Sequence, residues 1–301
     1  MAKVTVAGSS NTDMVVRVPH LPLPGETVLG EQFIMAAGGK GANQAVAAAR
    51  LGAEVTFVAR VGRDVFGAEA LAGFRREGVH TQYIHTDARA SSGVALILVD
   101  HAGENCIAVA PGANALLSPA DVQEAREAIA ASDVLLLQLE IPLETVVAAA
   151  QIANQAGVRV ILNPAPAPSS PLPRNLLACL DILTPNENEA SLLTGISDPE
   201  KAAHLLLEQG VKTVVMTLGA RGALIVSRDG RELVPGFPVE AVDTTAAGDA
   251  FNGGLAVALA RGKPLAEAVR FANACGALAT MRLGAQPSLP TLQEVEQLLR
   301  R

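Results

Sequence analysis

The segment best suited to chemistry is Asp243-Thr-Thr-Ala-Ala-Gly-Asp-Ala-Phe-Asn-Gly-Gly254. Ala246, Ala247 and Gly248 are small, so the backbone there can approach a ligand closely. A helix follows, and a helix start offers unpaired N–H groups and the positive end of a dipole. Together they make an anion hole suited to the charge on a transferring phosphoryl group. Asp249 stands where it can accept the proton of an attacking hydroxyl. An acid before a helix is commonly an ordinary cap; the Ala-Ala-Gly-Asp context favours the functional role.

Gly38-Gly39-Lys40-Gly41-Ala42-Asn43 opens a second helix. It lacks Walker A spacing, and Gln44 occupies the last position of what would otherwise be GxGxxG. Its backbone can still approach a polyhydroxyl ligand, with Lys40 and Asn43 supplying hydrogen bonds, although a plain glycine-rich turn reads the same way. Asn11 and Asp13 follow the first strand, where the carboxyl end of a strand in an open α/β sheet meets the ligand crevice. An ordinary Asx turn fits them equally well. Thr184-Pro-Asn186-Glu-Asn-Glu189 places acid and amide groups at a strand end. There they can hold hydrated Mg²⁺ beside phosphates, or simply stabilise a helix N-terminus. Thr217-Leu-Gly219-Ala-Arg-Gly222 is a glycine-rich turn after a strand, able to contact nucleotide phosphates.

The elements that position these residues are legible in the hydrophobic pattern. Residues 3–8, 55–61, 134–139, 158–163, 181–184, 214–218 and 223–226 read as strands. Residues 41–52, 66–78, 118–131, 143–157, 187–193, 199–210, 250–261, 265–281 and 291–301 read as helices. Short apolar runs alternating with helices indicate βαβ units and a parallel sheet. The first third carries β-structure that does not alternate this way, including a hairpin over 93–99 and 105–110. The expectation is one α/β domain over residues 1–301, with a small β lid from about 11–37 and 90–110. The proline-rich stretch 165–173 reads as a loop.

Composition bounds the function. Half of the 301 residues are hydrophobic, 18% are charged and the net charge is −7. Such a chain has no general attraction for nucleic acid or anionic membrane. Aromatics are 3% with no Trp, which disfavours base-stacking platforms. Cys106, Cys179 and Cys275 form no CxxC pair, so reduced thiols of a cytoplasmic protein are expected. His20, His80, His85, His101 and His204 show no zinc-ligand spacing. The N-terminal segment lacks a signal-peptide layout, and no apolar run spans a membrane.

The order of these features resembles the ribokinase family, the PfkB-type carbohydrate kinases. The resemblance covers nearly the whole chain, with 38–43 as the N-terminal signature and 243–254 as the C-terminal one. Asn11 to Asp13, Gln138-Leu-Glu140, Asn163-Pro-Ala-Pro166 and Gly284-Ala-Gln-Pro-Ser288 share its finer detail. The resemblance implies a Rossmann-like three-layer α/β/α core with a β-sheet lid that doubles as a homodimer interface. It implies ATP-dependent phosphorylation of a small sugar, D-ribose, at its primary O5 hydroxyl, with Asp249 as base and residues 246–249 as anion hole. Asn11, Asp13, Gly39, Lys40, Gly41, Asn43 and Glu140 would hold the sugar together with Asp249. Asn186 and Glu189 would position Mg²⁺ and phosphate. Thr217, Gly219, Gly222, Gly248 and Asn273 would line the ATP site. Asp243, Thr245, Ala279, Arg282, Gly284 and Ser288 would hold K⁺, several through backbone carbonyls. Departures from the family pattern, at Met35-Ala-Ala37, Asn188 and Thr245, remove no catalytic group.

Rival readings are a kinase for another sugar or a nucleoside, a sugar-binding regulator on a dead kinase, and a Rossmann dehydrogenase. A nucleoside needs an apolar or aromatic wall that the polar set around Lys40 does not offer. The intact Gly248-Asp249 speaks against the dead kinase, and the absence of GxGxxG after the first strand against the dehydrogenase.

Overall fold

The computed structural model describes residues 2–168 and 170–300. In chain order the strands are β1 (Lys3–Ala7), β2 (Asn11–Arg17), β3 (Gln32–Gly38), β4 (Glu54–Gly62), β5 (His80–Asp87), β6 (Gly93–Val99), β7 (Asn105–Ala110), β8 (Val134–Leu137), β9 (Arg159–Leu162), β10 (Ile182–Leu183), β11 (Thr213–Thr217), β12 (Gly222–Ser227) and β13 (Gly230–Pro235). They form a nine-stranded sheet, ordered β13-β12-β11-β10-β9-β8-β1-β4-β5, and a four-stranded sheet, ordered β3-β2-β6-β7.

In the large sheet every pairing from β5 across to β11 is parallel, and β12 and β13 add antiparallel. Strands covered on both faces are continuously apolar, as Val134–Leu137 is throughout. Sequence order reverses beside β1: β4 lies on one side and β8 on the other. Such a reversal opens a crevice at the carboxyl ends of the two strands. The residues that follow them are Gly8 to Asn11 and Gln138 to Glu140.

Strands β2, β3, β6 and β7 make the small sheet, drawn from residues 11–38 and 93–110. Three differences from the sequence reading have physical causes. The helix expected over 118–131 is two, Pro119–Glu124 and Arg126–Ala130, divided at Ala125. Strands β5 and β13 were not anticipated; both lie at the outer edges of the large sheet, where one side is solvent and the apolar run is interrupted. The stretch 165–173 is irregular as expected, with Ser169 outside the described residues, and a short helix, Arg174–Leu177, follows it.

The helix Lys40–Arg50 begins directly on the crevice. Its N-cap, Gly39, has φ +88, a conformation in which an L side chain is strained. At Gly41 the constraint is space: a Cβ there would lie 2.5 Å from Ser9 N and 2.6 Å from the Gly8 carbonyl carbon. This close approach seats the helix start against the end of β1. Gly41→Ala should therefore lower stability by about 1–3 kcal/mol through overpacking. Gly73→Ala, in the open middle of the helix Val65–Arg76, should instead raise it by about 0.5–1 kcal/mol. Urea denaturation of both variants checks the pair.

Candidate active site

The helix Ala247–Ala260 is apolar on nearly every side and lies against the helices Lys40–Arg50 and Leu265–Thr280. Its N-cap, Ala246, is left-handed at φ +58, the one non-glycine residue so placed among the described residues. That conformation costs about 1–2 kcal/mol. Asp249 is not the cap. It is the third residue of the helix, 6% exposed, and its side chain turns inward. The ordinary-cap interpretation is thereby excluded.

Two amides hold the carboxylate. Asn43 Nδ2 donates to Oδ2 at 2.9 Å, and Gln44 Nε2 donates to Oδ1 at 2.9 Å. Burial pushes the Asp249 pKa above its ordinary value, against the pull of the Lys40 charge and both amides. A raised carboxyl pKa is what a general base near neutral pH requires. Asn43 Oδ1 is buried and has no hydrogen-bond partner. An unmet acceptor beside the base invites a ligand hydroxyl.

The two helix starts differ in a way that divides their roles. In Lys40–Arg50 the first N–H groups are already taken: Lys40 N by Glu140 Oε2, Gly41 N by Ser9 Oγ and Ala42 N by Ser9 O. In Ala247–Ala260, Ala247 N bonds Thr244 O, but the N–H groups of Ala246, Gly248 and Asp249 have no acceptor among the described residues. A Cβ on Gly248 would meet nothing within 4 Å. Free donors facing open space at a helix N-terminus are an anion site.

Around this point are Asp13, Lys40, Glu140 and Glu189. Burial, then Glu140 and Asp249, raise the Asp13 pKa to about 6. Burial raises Glu189 as well. Burial opposes the charge of Lys40, but Asp249, Glu140 and Glu189 outweigh it and hold its pKa high. No carboxylate comes within 4.0 Å of its ammonium among the described residues. Ser9 Oγ donates to Glu140 Oε2 at 2.5 Å. Of the residues expected at the sugar, the structure thus gathers Asn11, Asp13, Gly39, Lys40, Gly41, Asn43, Glu140 and Asp249 at the switch point.

A cleft of about 540 Å³ opens beside Gly248 and includes Asn186, Thr217, Gly219, Gly222 and Asn273 in its walls. An isolated bridge pairs Asn186 with Thr217. Asn273 donates both amide hydrogens to the carbonyls of Val234 and Pro235, leaving its oxygen for a ligand. Glu189 does not line this cleft. It closes a capping box instead: Asn186 N donates to Glu189 Oε2 and Glu189 N to Asn186 Oδ1, each at 2.8 Å. No protein donor reaches its other oxygen among the described residues. A half-buried carboxylate with a free oxygen suits a hydrated Mg²⁺.

At the expected K⁺ position, Asp243 Oδ1 accepts from Thr245 N at 2.9 Å and Oδ2 from Gly284 N at 2.8 Å. Burial opposes the Asp243 charge, yet these donors keep its pKa below the ordinary value. Asp243 N bonds Thr280 O, which joins the loop to the end of the helix carrying Ala279. Arg282 turns its guanidinium to Glu294, so only its backbone remains for a cation. Ser288 is buried, with Oγ on Ala285 O. One carboxylate among loop carbonyls is a hard oxygen set that fits a monovalent cation.

The sequence reading gave no role to the residues behind Asp249. Gln44, 0% exposed, donates to Asn163 Oδ1 at 3.2 Å and accepts from Gln138 Nε2 at 2.6 Å. Asn163 donates to Thr184 O, Thr184 Oγ1 to Asn252 Oδ1, and Asn252 Nδ2 to Gly248 O. This buried chain runs from the base to the backbone of the anion site. Its available signal was a set of amides at the ends of apolar strands, where no structural pattern requires them.

The sequence matches the family described as pfkB family carbohydrate kinase over residues 1–292. A ribokinase of Haemophilus influenzae is 46% identical over 301 residues, covering 98% of this chain and 98% of that protein. The solved structure of Thermotoga maritima ribokinase is similar at a TM-score of 0.92 and 40% identity, covering 100% of both chains. Arabidopsis thaliana ribokinase complexed with ribose and ATP is similar at a TM-score of 0.92 and 35% identity, again over 100% of both chains.

Two predictions follow from the carboxylates. Asp13 is ionised in the folded protein only above about pH 6, whereas unfolded it ionises near 3.8. Its charge therefore opposes folding on the order of 3 kcal/mol above pH 6, and by nothing below about pH 4. Asp13→Asn should raise the Tm of the ligand-free protein at pH 8, with the gain fading as pH falls through 6 to 4. Gln44→Leu removes a donor that lowers the Asp249 pKa, so the acid limb of kcat/KM should move to higher pH by about one unit. Because Gln44 is sealed from the cleft, sugar KM should change less than about threefold. A pH–rate profile of the variant reads both.

Proposed function

The chain belongs to the pfkB family of carbohydrate kinases, and we propose that it transfers the γ-phosphoryl group of ATP to the O5 hydroxyl of D-ribose. The observation that carries this is the buried Asp249 carboxylate, held by Asn43 and Gln44 one residue beyond the free N–H of Gly248. Base and anion site adjoin, as in-line transfer from one cleft to the other demands. Full-length similarity to ribokinases supports the choice of sugar.

The sugar rests among Asn11, Asp13, Gly39, Lys40, Gly41, Asn43 and Glu140, its hydroxyls donating to the carboxylates. O5 lies against Asp249. As O5 attacks the γ-phosphorus, its proton passes to the Asp249 carboxylate, the P–O bond to the β-phosphate breaks, and ADP leaves. The N–H groups at the start of the helix Ala247–Ala260 and the Lys40 ammonium meet the charge on the transferring group. ATP occupies the cleft walled by Asn186, Thr217, Gly219, Gly222, Gly248 and Asn273. Glu189 and Asn186 would hold hydrated Mg²⁺, which supplies charge neutralisation at the phosphates. Asp243, Thr245, Ala279, Arg282, Gly284 and Ser288 would hold K⁺, which would supply positive charge to order the loop leading into the anion site.

The four-stranded sheet acts as the lid, keeping water from the transferring group. Its exposed apolar residues, among them Phe33, Met35, Leu96, Ile107 and Val109, support a homodimer through this sheet. No described helix is long and apolar enough to cross a membrane. A cytoplasmic setting suits a consumer of ATP.

The test is ADP release with Mg-ATP and K⁺ on ribose, 2-deoxyribose, fructose, tagatose 6-phosphate and adenosine. Ribose should be preferred; activity confined to another acceptor would sink the choice of sugar and leave the base assignment standing. Asp249→Ala should lower kcat by about 10²–10⁴-fold or more, with sugar binding still measurable by calorimetry. Near-normal turnover in that variant would refute the role of Asp249.

A further inference from the structure

Asn114 lies in the 3-10 turn Gly112–Leu116, where the chain returns from β7 to the core. It is 2% exposed. Its Oδ1 accepts from Ser10 N at 2.9 Å. Its Nδ2 donates to Ser10 O at 3.2 Å and to Asn11 Oδ1 at 2.7 Å. A backbone N–H only donates and a backbone carbonyl only accepts. Ser10 therefore fixes which end of the Asn114 amide is oxygen and which is nitrogen. Because Asn114 Nδ2 donates, Asn11 must turn its oxygen toward it. The Asn11 amide is thus oriented by the main chain, at one remove.

The other end of Asn11 is then a donor. Its Nδ2 has no protein acceptor among the described residues, and it is not among the unpartnered atoms sealed from solvent. Side chains alternate along a strand, so Asn11 shares the face of β2 that carries Asp13, whose carboxyl feels Glu140 and Asp249. The strand position opposite Asn11 is Gly93. A Cβ there would lie 2.2 Å from Asn11 Oδ1 and 2.3 Å from Asn114 Nδ2, so a side chain at 93 would break the pair.

We infer that Asn11 meets the sugar as a hydrogen-bond donor only, and that Asn114 is the positioning residue that enforces this polarity. The inference rests on the proposed function in taking this cleft as the sugar site. Asp13, Glu140 and Asp249 offer acceptors to a polyol. Most hydroxyls must therefore donate, while the one facing Asn11 is read through its lone pairs.

Fluorine in place of a hydroxyl retains weak acceptor character and cannot donate, so a series of deoxyfluoro-riboses reads the polarity position by position. The wild type should tolerate fluorine at one non-reacting position, with KM within about fivefold of ribose, and lose about tenfold or more at the others. Asn114→Asp still accepts from Ser10 N but cannot donate, so the Asn11 amide reverses and presents its oxygen. In that variant the tolerated position should lose about tenfold in the fluoro-to-hydroxyl KM ratio. A ratio taken within one variant does not respond to a general loss of stability. An Asn114→Asp enzyme with the wild-type fluorine pattern would overturn the inference. So would a wild type that rejects fluorine equally everywhere, which needs no variant to fold. Asn11→Ala separates the two levels: unchanged ribose KM there would remove Asn11 from the sugar site and with it that part of the proposed function.

Discussion

A carboxylate almost out of reach of solvent is the constraint on which the site depends. An unpaired charge at the depth of Asp249 would cost several kcal/mol and would neutralise itself. It is kept usable by two amide donors, one on each oxygen, and by the nearby Lys40 charge. Both amides come from the first five residues of the helix Lys40–Arg50. That helix must therefore begin against the end of β1, and it can do so only with the small contact at Gly41 and the left-handed turn at Gly39. The strain at Ala246 belongs to the same arrangement: it turns the chain so that the next helix starts with free N–H groups and a carboxylate two residues later. The glycines, the strained alanine and the buried amides are parts of one solution to holding a base beside an anion site.

Electrostatics inside the cleft weigh on the free protein. Burial, with Glu140 and Asp249 nearby, raises the Asp13 pKa, and burial with Glu140 nearby raises that of Asp249, while Lys40 has no carboxylate in contact among the described residues. In the proposed complex a sugar hydroxyl adds a donor to these acids, and a phosphate brings a counter-charge to Lys40. The asymmetry between the helix starts underlies the proposed division of sides. Where Ser9 and Glu140 already occupy the N–H groups, side chains are left to meet a neutral polyol; where the N–H groups are free, backbone is left to meet an anion.

Much of this was legible in the sequence, for a physical reason. Close backbone approach demands Gly and Ala, and an anion site demands a helix start, so residues 38–43 and 243–254 advertise themselves locally. Thr217, Gly219 and Gly222, which line the cleft beside Gly248, were legible as a glycine turn ending a strand. What escaped depends on distance. Gln44 was visible only as the residue that spoils a dinucleotide fingerprint; its function arises from Asp249, 205 positions away. Asn114 sits in a turn whose sequence says nothing of Ser10 and Asn11. Strands β5 and β13 escaped because edge strands are polar on their open side and lose the pattern that identifies central ones. Glu189 shows the reverse error of scale: its Asn-x-x-Glu spacing is met in full by a capping box, so the spacing alone supports helix initiation as well as metal binding.

The small sheet joins the large one through segments that include residues proposed to hold the sugar. The chain leaves β1 for β2 through Ser9, Ser10 and Asn11, and returns from β3 through Gly38, Gly39 and Lys40. It leaves β5 for β6 through a segment held by Asp87 and Asp64, ending at Ser92 and Gly93, and returns through Asn114. Side-chain hydrogen bonds hold these crossings: Asp87 and Asp64 hold the segment before β6, Asn114 holds Ser10, and Glu140 holds Lys40. A displacement of the small sheet therefore cannot leave the site unchanged: it must move Asn11 and Asp13 on β2 and the Gly39 turn that fixes Lys40. Conversely, a ligand that holds those groups in one arrangement selects one position of the sheet. The free energy available for that selection is the difference in ligand contacts between positions, and those contacts include the polar pairs at the crossings. Under the proposed function, lid position and sugar recognition are one equilibrium, because the crossings include the residues proposed to hold the sugar.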